Sequence, residues 1–321
     1  MRREGSPWQG LGPVTLKDLA DHFDSARVLV LVLLMVVAAA VPLFLSIEQL
    51  RTTTAEDPFL LLKLFNPPDQ TVSIVFILGF VIPVMAIGLG FDAVNGEHNR
   101  RTLSRILAQP IYRDALLLGK FLAALFALAV NLTGLCLLVV GLGVLLLGVP
   151  PSGEEFTRTL VFLGIAIGYA GVWLALAMLF SVLFRSPATA LLLAVGVWLF
   201  TALLWPMISP VLAQVIVPPD PRYLLIGAMD PQTTEVEKTL AAVSPYLLFE
   251  QAVQTILSPT KASLGPILDQ LRMLRGEVVG AALPLQESLL IAWPQIVGLI
   301  AGAIALFVAT YVAFQRQEVR A

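Results

Sequence analysis

The chain has 321 residues, 58% of them hydrophobic and 13% charged, with a formal net charge of −2 and a mean hydropathy of +0.87. That balance excludes a soluble domain of this length and gives no reason to expect nucleic acid as a partner; the chain reads as a polytopic protein of the lipid bilayer. The single cysteine, Cys136, lies inside an apolar run, so neither a disulfide framework nor a cysteine metal site is expected.

Residues 1–27 form a cytoplasmic N-terminus. In "TLKDLADHF", Leu16, Leu19, Ala20 and Phe23 recur at helical spacing, with Thr15 and Asp18 spaced as a capping pair. This predicts a short amphipathic helix in the membrane interface. Asp18, Asp21 and Asp24 make the stretch a poor signal-peptide n-region, so the first apolar run is read as a span.

Six spans follow, each long enough for about 20 helical residues across about 30 Å of hydrocarbon. They are Val28 to Ile47, Val72 to Phe91, Leu116 to Val149, Leu160 to Phe184, Ala188 to Ile208 and Leu289 to Phe314. Backbone groups cannot go unpaired in lipid and no barrel alternation is present, so the fold class is all-α. The third run is overlong and predicts a tilt or a non-spanning turn. Gly164, Gly168 and Gly171 stand at helix-packing intervals in the fourth, so close helix approach is expected there.

Lys and Arg set the orientation. With both termini cytoplasmic, the inner side gathers Arg27, Arg100, Arg101, Arg105, Arg113, Lys120, Arg185 and Arg316, whereas the two short outer loops hold only Arg51, Lys63 and Arg158. Residues 28–208 then carry spans one to five with a charged loop at 92–115, residues 209–288 an extracytoplasmic segment, and residues 289–321 the last span and a cytoplasmic tail. In the outer segment, Ser244 is placed to cap a helix beginning at Pro245 whose apolar face is Leu248, Phe249, Ala252, Val253, Ile256 and Leu257. A second helix is predicted from Ile267 towards Val278. Together they form a helical cap on the outer ends of the spans, or a surface for an extracytoplasmic partner.

Several chemistries are missing. "LLGKF" at Leu117 to Phe121 lacks the upstream Gly and the following Ser or Thr of a P-loop. His22 and His98 belong to no metal motif, and no metal or cofactor is expected on this chain. The centres of the spans hold no ionisable residue, which weighs against an ion-coupled carrier. Asn131 and Thr133 are the main polar pair within a span; they suit helix-to-helix hydrogen bonding or a substrate pathway.

The loop after the second span, "FDAVNGEHNRRTLSRILAQPIYRDALLLGK", is an island of charge. Glu97, Arg100, Arg101 and Arg105 fall on one side of a short helix, with Leu103, Ile106 and Leu107 opposite, and Pro110 ends it. Glu97 and Arg101 are expected to face water. Positive-inside anchoring alone would account for the arginines. Asp92, Gly96, Glu97, Thr102, Leu103, Leu107, Pro110, Arg113, Leu118, Gly119 and Lys120, in that order, resemble the D-x-x-x-G-E…T-L…L…P…R…L-G-K pattern of ABC-2 transporter permeases. The branch most similar includes the permeases of copper-site maturation and gliding motility.

The resemblance implies that the island is a coupling helix, with Glu97, Arg100, Arg101, Thr102, Ser104 and Arg105 docking on a separate nucleotide-binding ATPase that holds ATP and Mg. It also implies an exporter in the inner membrane built from two permease copies or from one copy and a homologue. The alternatives are a non-transporting scaffold or assembly factor and, more remotely, a membrane-embedded enzyme.

Overall fold

The computed structural model describes residues 10–51, 59–67, 72–99, 113–148, 150–220, 222–223, 230–259 and 283–316, and it contains no strand among them. The helices are α1 (Leu11–Phe23), α2 (Ala26–Arg51), α3 (Leu62–Phe65), α4 (Ile74–Gly90), α5 (Asn95–Asn99), α6 (Arg113–Leu147) and α7 (Gly153–Leu183). They continue as α8 (Pro187–Leu199), a π-helical turn (Phe200–Leu204), α9 (Trp205–Ile216), α10 (Pro231–Ala241), α11 (Pro245–Leu257) and α12 (Leu285–Arg316). Six stretches are long and apolar enough to cross a membrane: α2, α4 continued through Glu97, α6, α7, the α8–α9 unit and α12.

Helix starts follow local chemistry. Ser73 Oγ accepts the Phe76 N–H at α4. Ser152 and Glu155 form a reciprocal capping box at α7. Ser186, Asp230 and Ser244 each cap a helix whose next residue is proline, where the missing N–H costs nothing. At α1 the prediction shifts: the helix begins at Leu11 rather than beside Thr15, whose hydroxyl donates to the Leu11 carbonyl from inside the helix.

The core is built on α4 and α7. Their most apolar stretches are each 67% buried, against 11% for α12 and 17% for the α8–α9 unit, so the latter present broad apolar faces outward. Glycines permit the tight contacts. A Cβ at Gly79 would come within 2.7 Å of the Tyr246 ring, and one at Gly90 within 2.9 Å of Ala177 Cβ. The glycines singled out from the sequence act differently: Gly164 and Gly168 meet nothing within 4 Å among the described residues, and only Gly171 nears another helix, at Ala303.

The third span is one continuous helix of 35 residues, about 52 Å long and therefore longer than the hydrocarbon thickness. The fifth is longer than predicted: it runs past Ile208 to Ile216 through the π-helical turn. From its end the chain folds back. Thr233 donates to the Val217 carbonyl, Trp205 Nε1 to Leu240 and Ser244 Oγ to Thr201, so α10 descends antiparallel to α9. Thr201 lies about 21 Å along the span from Pro187, so α11 begins near mid-depth rather than on an outer rim. It then climbs back to the level of Arg158, burying all six residues of its predicted apolar face together with Tyr246. The predicted helix at 267–278 lies outside the described residues.

Candidate functional site

The described residues of the charged loop's signature, Asp92, Gly96, Glu97 and Leu118 to Lys120, converge on one end of the bundle, the end carrying α1; Thr102, Leu103, Leu107 and Pro110 lie outside the described residues. Asp92 closes the turn after α4 and takes a bidentate pair from Arg27 of α2, at 2.9 and 2.8 Å. Arg27 also donates to the Gly88 carbonyl and lies over the Phe91 ring. One residue pair on, the backbone N–H groups of Val94 and Asn95 both donate to Ser181 Oγ of α7, and Asn95 Nδ2 donates to the Phe184 carbonyl. Two residues further, Glu97 Oε1 accepts from Lys120 Nζ of α6 at 2.6 Å, and the same ammonium contacts Asp18 of α1 at 3.1 Å. The root of the loop is thus tied to α1, α2, α6 and α7 within residues 92–97.

In the Leu118-Gly119-Lys120 triplet the glycine and the lysine make the ties to other elements; Leu118 is half-buried, while the preceding Leu116 and Leu117 pack in the core. Gly119 lets α1 lie close: a Cβ there would stand 2.8 Å from Val14 Cγ1. Lys120 then reaches the two carboxylates. The side chains of Asp18, Glu97 and Lys120 are 13%, 19% and 12% exposed, so the triad is well shielded and its interactions are stronger than those of surface pairs. A cavity of about 580 Å³ adjoins it, lined by Asp18, His22, Arg27, Asp92, Glu97 and Lys120. Burial in this wall holds the His22 imidazole below its ordinary pKa. On the rim Lys17 is held above its ordinary value, chiefly by its hydrogen bond to Asp21.

This geometry corrects one expectation and extends another. Glu97 is turned inward onto Lys120 instead of facing water. Of the stripe of α1 predicted to be apolar, Leu16 and Phe23 point outward at 69% and 47% exposure, with Ala20 also exposed, as suits an interfacial helix, whereas Leu19 packs against the core. What α1 turns inward is Val14, its one buried residue, together with Leu19, Asp18 and His22. Arg100, Arg101, Thr102, Ser104 and Arg105 lie outside the described residues, as does the side chain of His98. Asn131 and Thr133 sit apart from the latch in α6: Thr133 Oγ1 donates to Ala129 of its own helix, and Asn131 Nδ2 is enclosed without a partner. No cluster of three metal-ligating side chains occurs among the described residues.

The opposite end holds a second polar knot that spacing alone did not reveal. Arg158 was counted as an outer-loop base, yet it lies in α7 and is fully buried. All five of its N–H donors are used: Nε and Nη2 on Glu154, Nη2 also on the Leu283 carbonyl, and Nη1 on the Ile256 carbonyl and Ser288 Oγ. Its guanidinium lies over the Phe59 ring. The available signal was the i,i+4 pair Glu154 and Arg158 beside an apolar run.

A bundle of six membrane-length helices with an interfacial helix latched to the loop after the second span is the frame of a membrane permease. The family described as ABC-2 family transporter protein matches residues 13–319, and the chain belongs to that family. It is 30% identical over 144 residues to "Probable ABC transporter permease protein NosY" of Pseudomonas aeruginosa, covering 43% of this chain and 50% of the relative. It is 31% identical over 143 residues to the protein of the same name from Stutzerimonas stutzeri, covering 44% and 51%. The matched stretch thus spans about half the length of these relatives.

Proposed function

We propose that this chain is the membrane-spanning subunit of an ABC-2 exporter, working beside a second permease copy and driven by a separate ATPase that binds ATP and Mg and docks on the loop after α4. Membership of the family supports the subunit's class. The observation that carries the mechanism is the latch: one short stretch, Asp92 to Glu97, is tied to four helices, so a push on the loop moves α1, α2, α6 and α7 together. Glu97 serves here as a transmitting residue. Arg100, Arg101, Thr102, Ser104 and Arg105 are left to form the docking surface.

The distribution of Lys and Arg supports an inner-membrane orientation with the α1 end in the cytoplasm. The unpartnered amide of Asn131 suits a contact along the transport path. Separate variants divide docking from transmission. Arg101→Glu should reduce the amount of ATPase recovered with the purified chain, whereas Glu97→Gln should leave recovery unchanged and lower transport-coupled hydrolysis. Normal recovery and normal coupling in both correctly inserted variants would overturn the proposal.

A further inference from the structure

A small site at the end opposite the latch has no assigned role. A cavity of about 90 Å³ opens between α3, the first turn of α4 and one side of α11, lined by Asn66, Ser73, Phe76, Tyr246, Phe249 and Glu250. The sequence of α11 sets this up. Its apolar side buries Tyr246, Phe249 and Val253, which leaves Glu250 and Gln254, four residues apart, on the side turned to the cavity.

The polar groups here divide sharply. Gln254 Oε1 accepts from Asn66 Nδ2 at 3.1 Å, and the same amide donates to Ser258. Ser73 is committed to capping α4. Glu250 has no hydrogen bond or ion pair among the described residues, although it is partly buried. A carboxylate withdrawn from water without a counter-charge is costly, and a cation entering the cavity would remove that cost.

The walls select the kind of cation. Phe76, Tyr246 and Phe249 line the cavity; behind them Phe80 bridges Phe76 and Tyr246 with centroid separations of 5.1 and 5.4 Å, and Tyr169 stacks on Phe249 at 4.5 Å. Aromatic rings attract weakly hydrated organic cations. A hard divalent metal needs six or more oxygen ligands, usually several of them carboxylates, and among the described residues lining the cavity only Glu250 is charged. The volume suits a head group, since sites for drug-sized ligands are about 300–1,000 Å³.

We propose that this cavity binds an organic ammonium group, with Glu250 supplying the counter-charge and Phe76, Tyr246 and Phe249 the aromatic walls. As a cargo contact the site rests on the permease reading above; as a binding site it stands without the ATPase and is tested without it. The ammonium can come from a soluble amine or from the ethanolamine head group of a lipid.

The test is calorimetric titration of the full chain, in phosphatidylglycerol nanodiscs, with choline and with its uncharged isostere 3,3-dimethyl-1-butanol. Saturable choline binding is expected, with no binding of the alcohol. Affinity should fall about tenfold or more in Glu250→Gln, the loss typical of removing one partner of a shielded charge pair. Phe76 is 41% exposed, so Phe76→Leu leaves the fold intact and should weaken choline binding about two- to fivefold, the effect of losing an exposed cation–π contact. Absence of saturable choline binding to the folded chain, equal affinity in Glu250→Gln, or equal binding of the alcohol would each overturn the assignment. Repeating the titration in phosphatidylethanolamine nanodiscs separates the sources: weakened choline binding identifies the lipid head group as occupant, and unchanged binding identifies a soluble amine.

Discussion

The two ends of the bundle solve the same problem, a charge drawn out of water, in opposite ways. At the far end Arg158 is fully enclosed and each of its five donors has an acceptor, three of them on α11, α12 and the segment leading into it. At the α1 end Lys120 shares its ammonium between two carboxylates, Arg27 and Asp92 pair at 44% and 24% exposure, and a cavity of about 580 Å³ lies alongside. The first arrangement has one low-energy geometry. The second leaves a choice: Lys120 lies between two carboxylates, and the Arg27–Asp92 pair is within reach of solvent. A rigid clamp at one end and an adjustable latch at the other would let the bundle pivot about its far side, as the proposed function requires.

The largest expected effect breaks the clamp. Arg158→Met leaves three buried acceptors, Ser288 and the Ile256 and Leu283 carbonyls, without their donor at about 1–3 kcal/mol each, while Glu154 stays 43% exposed, and should lower stability by roughly 3 kcal/mol or more, read as a large fall in the thermal midpoint. An effect smaller than that of the matching latch variant would abolish the distinction between the ends. That variant, Lys120→Met, leaves Asp18 and Glu97 facing each other, but both line the cavity and can rehydrate there, so it should cost less, about 1–3 kcal/mol. Adding Asp18→Asn should recover part of the loss, because one of the two buried carboxylates is then neutral; a strictly additive double variant would contradict the shared ammonium.

Gly119→Val sharpens the picture of how α1 is held. The new side chain would strike Val14, so α1 should lift from α6 and become more accessible to protease, while Val14→Ala in the same chain should restore protection. The smallest effect is a pH dependence. Burial holds the His22 pKa below its unfolded value of 6.5, so the stability it contributes is present above 6.5 and is lost as pH falls through the lowered folded value. Asp18 and Asp92 oppose that shift, while Lys120 and Arg27 reinforce it. Thermal midpoints should therefore decline from pH 7 to pH 5, and His22→Gln should flatten the decline.

Much of this architecture was legible in the sequence, because long apolar runs in lipid have few alternatives to helices. The six spans and the apolar face of α11 fall where hydrophobicity and the Ser244-Pro245 start place them. The descent of α10 along the fifth span, which sets the start of α11, was not legible, since it depends on Trp205, Thr201 and Val217 bonding residues 16 to 43 positions away. The site shows the same division. The order of Asp92, Glu97, Gly119 and Lys120 pointed to the right loop, but their partners Arg27, Asp18 and Val14 come from α1 and α2. Local spacing read Glu97 as part of a water-facing side with Arg101 because nothing nearby in sequence announces Lys120, 23 residues on.

The most direct test of the pivot is hydrogen–deuterium exchange on the chain, alone and with the proposed ATPase partner in the presence and absence of ATP. The account predicts that protection changes with ATP in residues 11–23 and 91–97 and stays constant at residues 154–158, 253–257 and 285–290. Constant exchange at the α1 end with ATP-dependent exchange around Arg158 would contradict it.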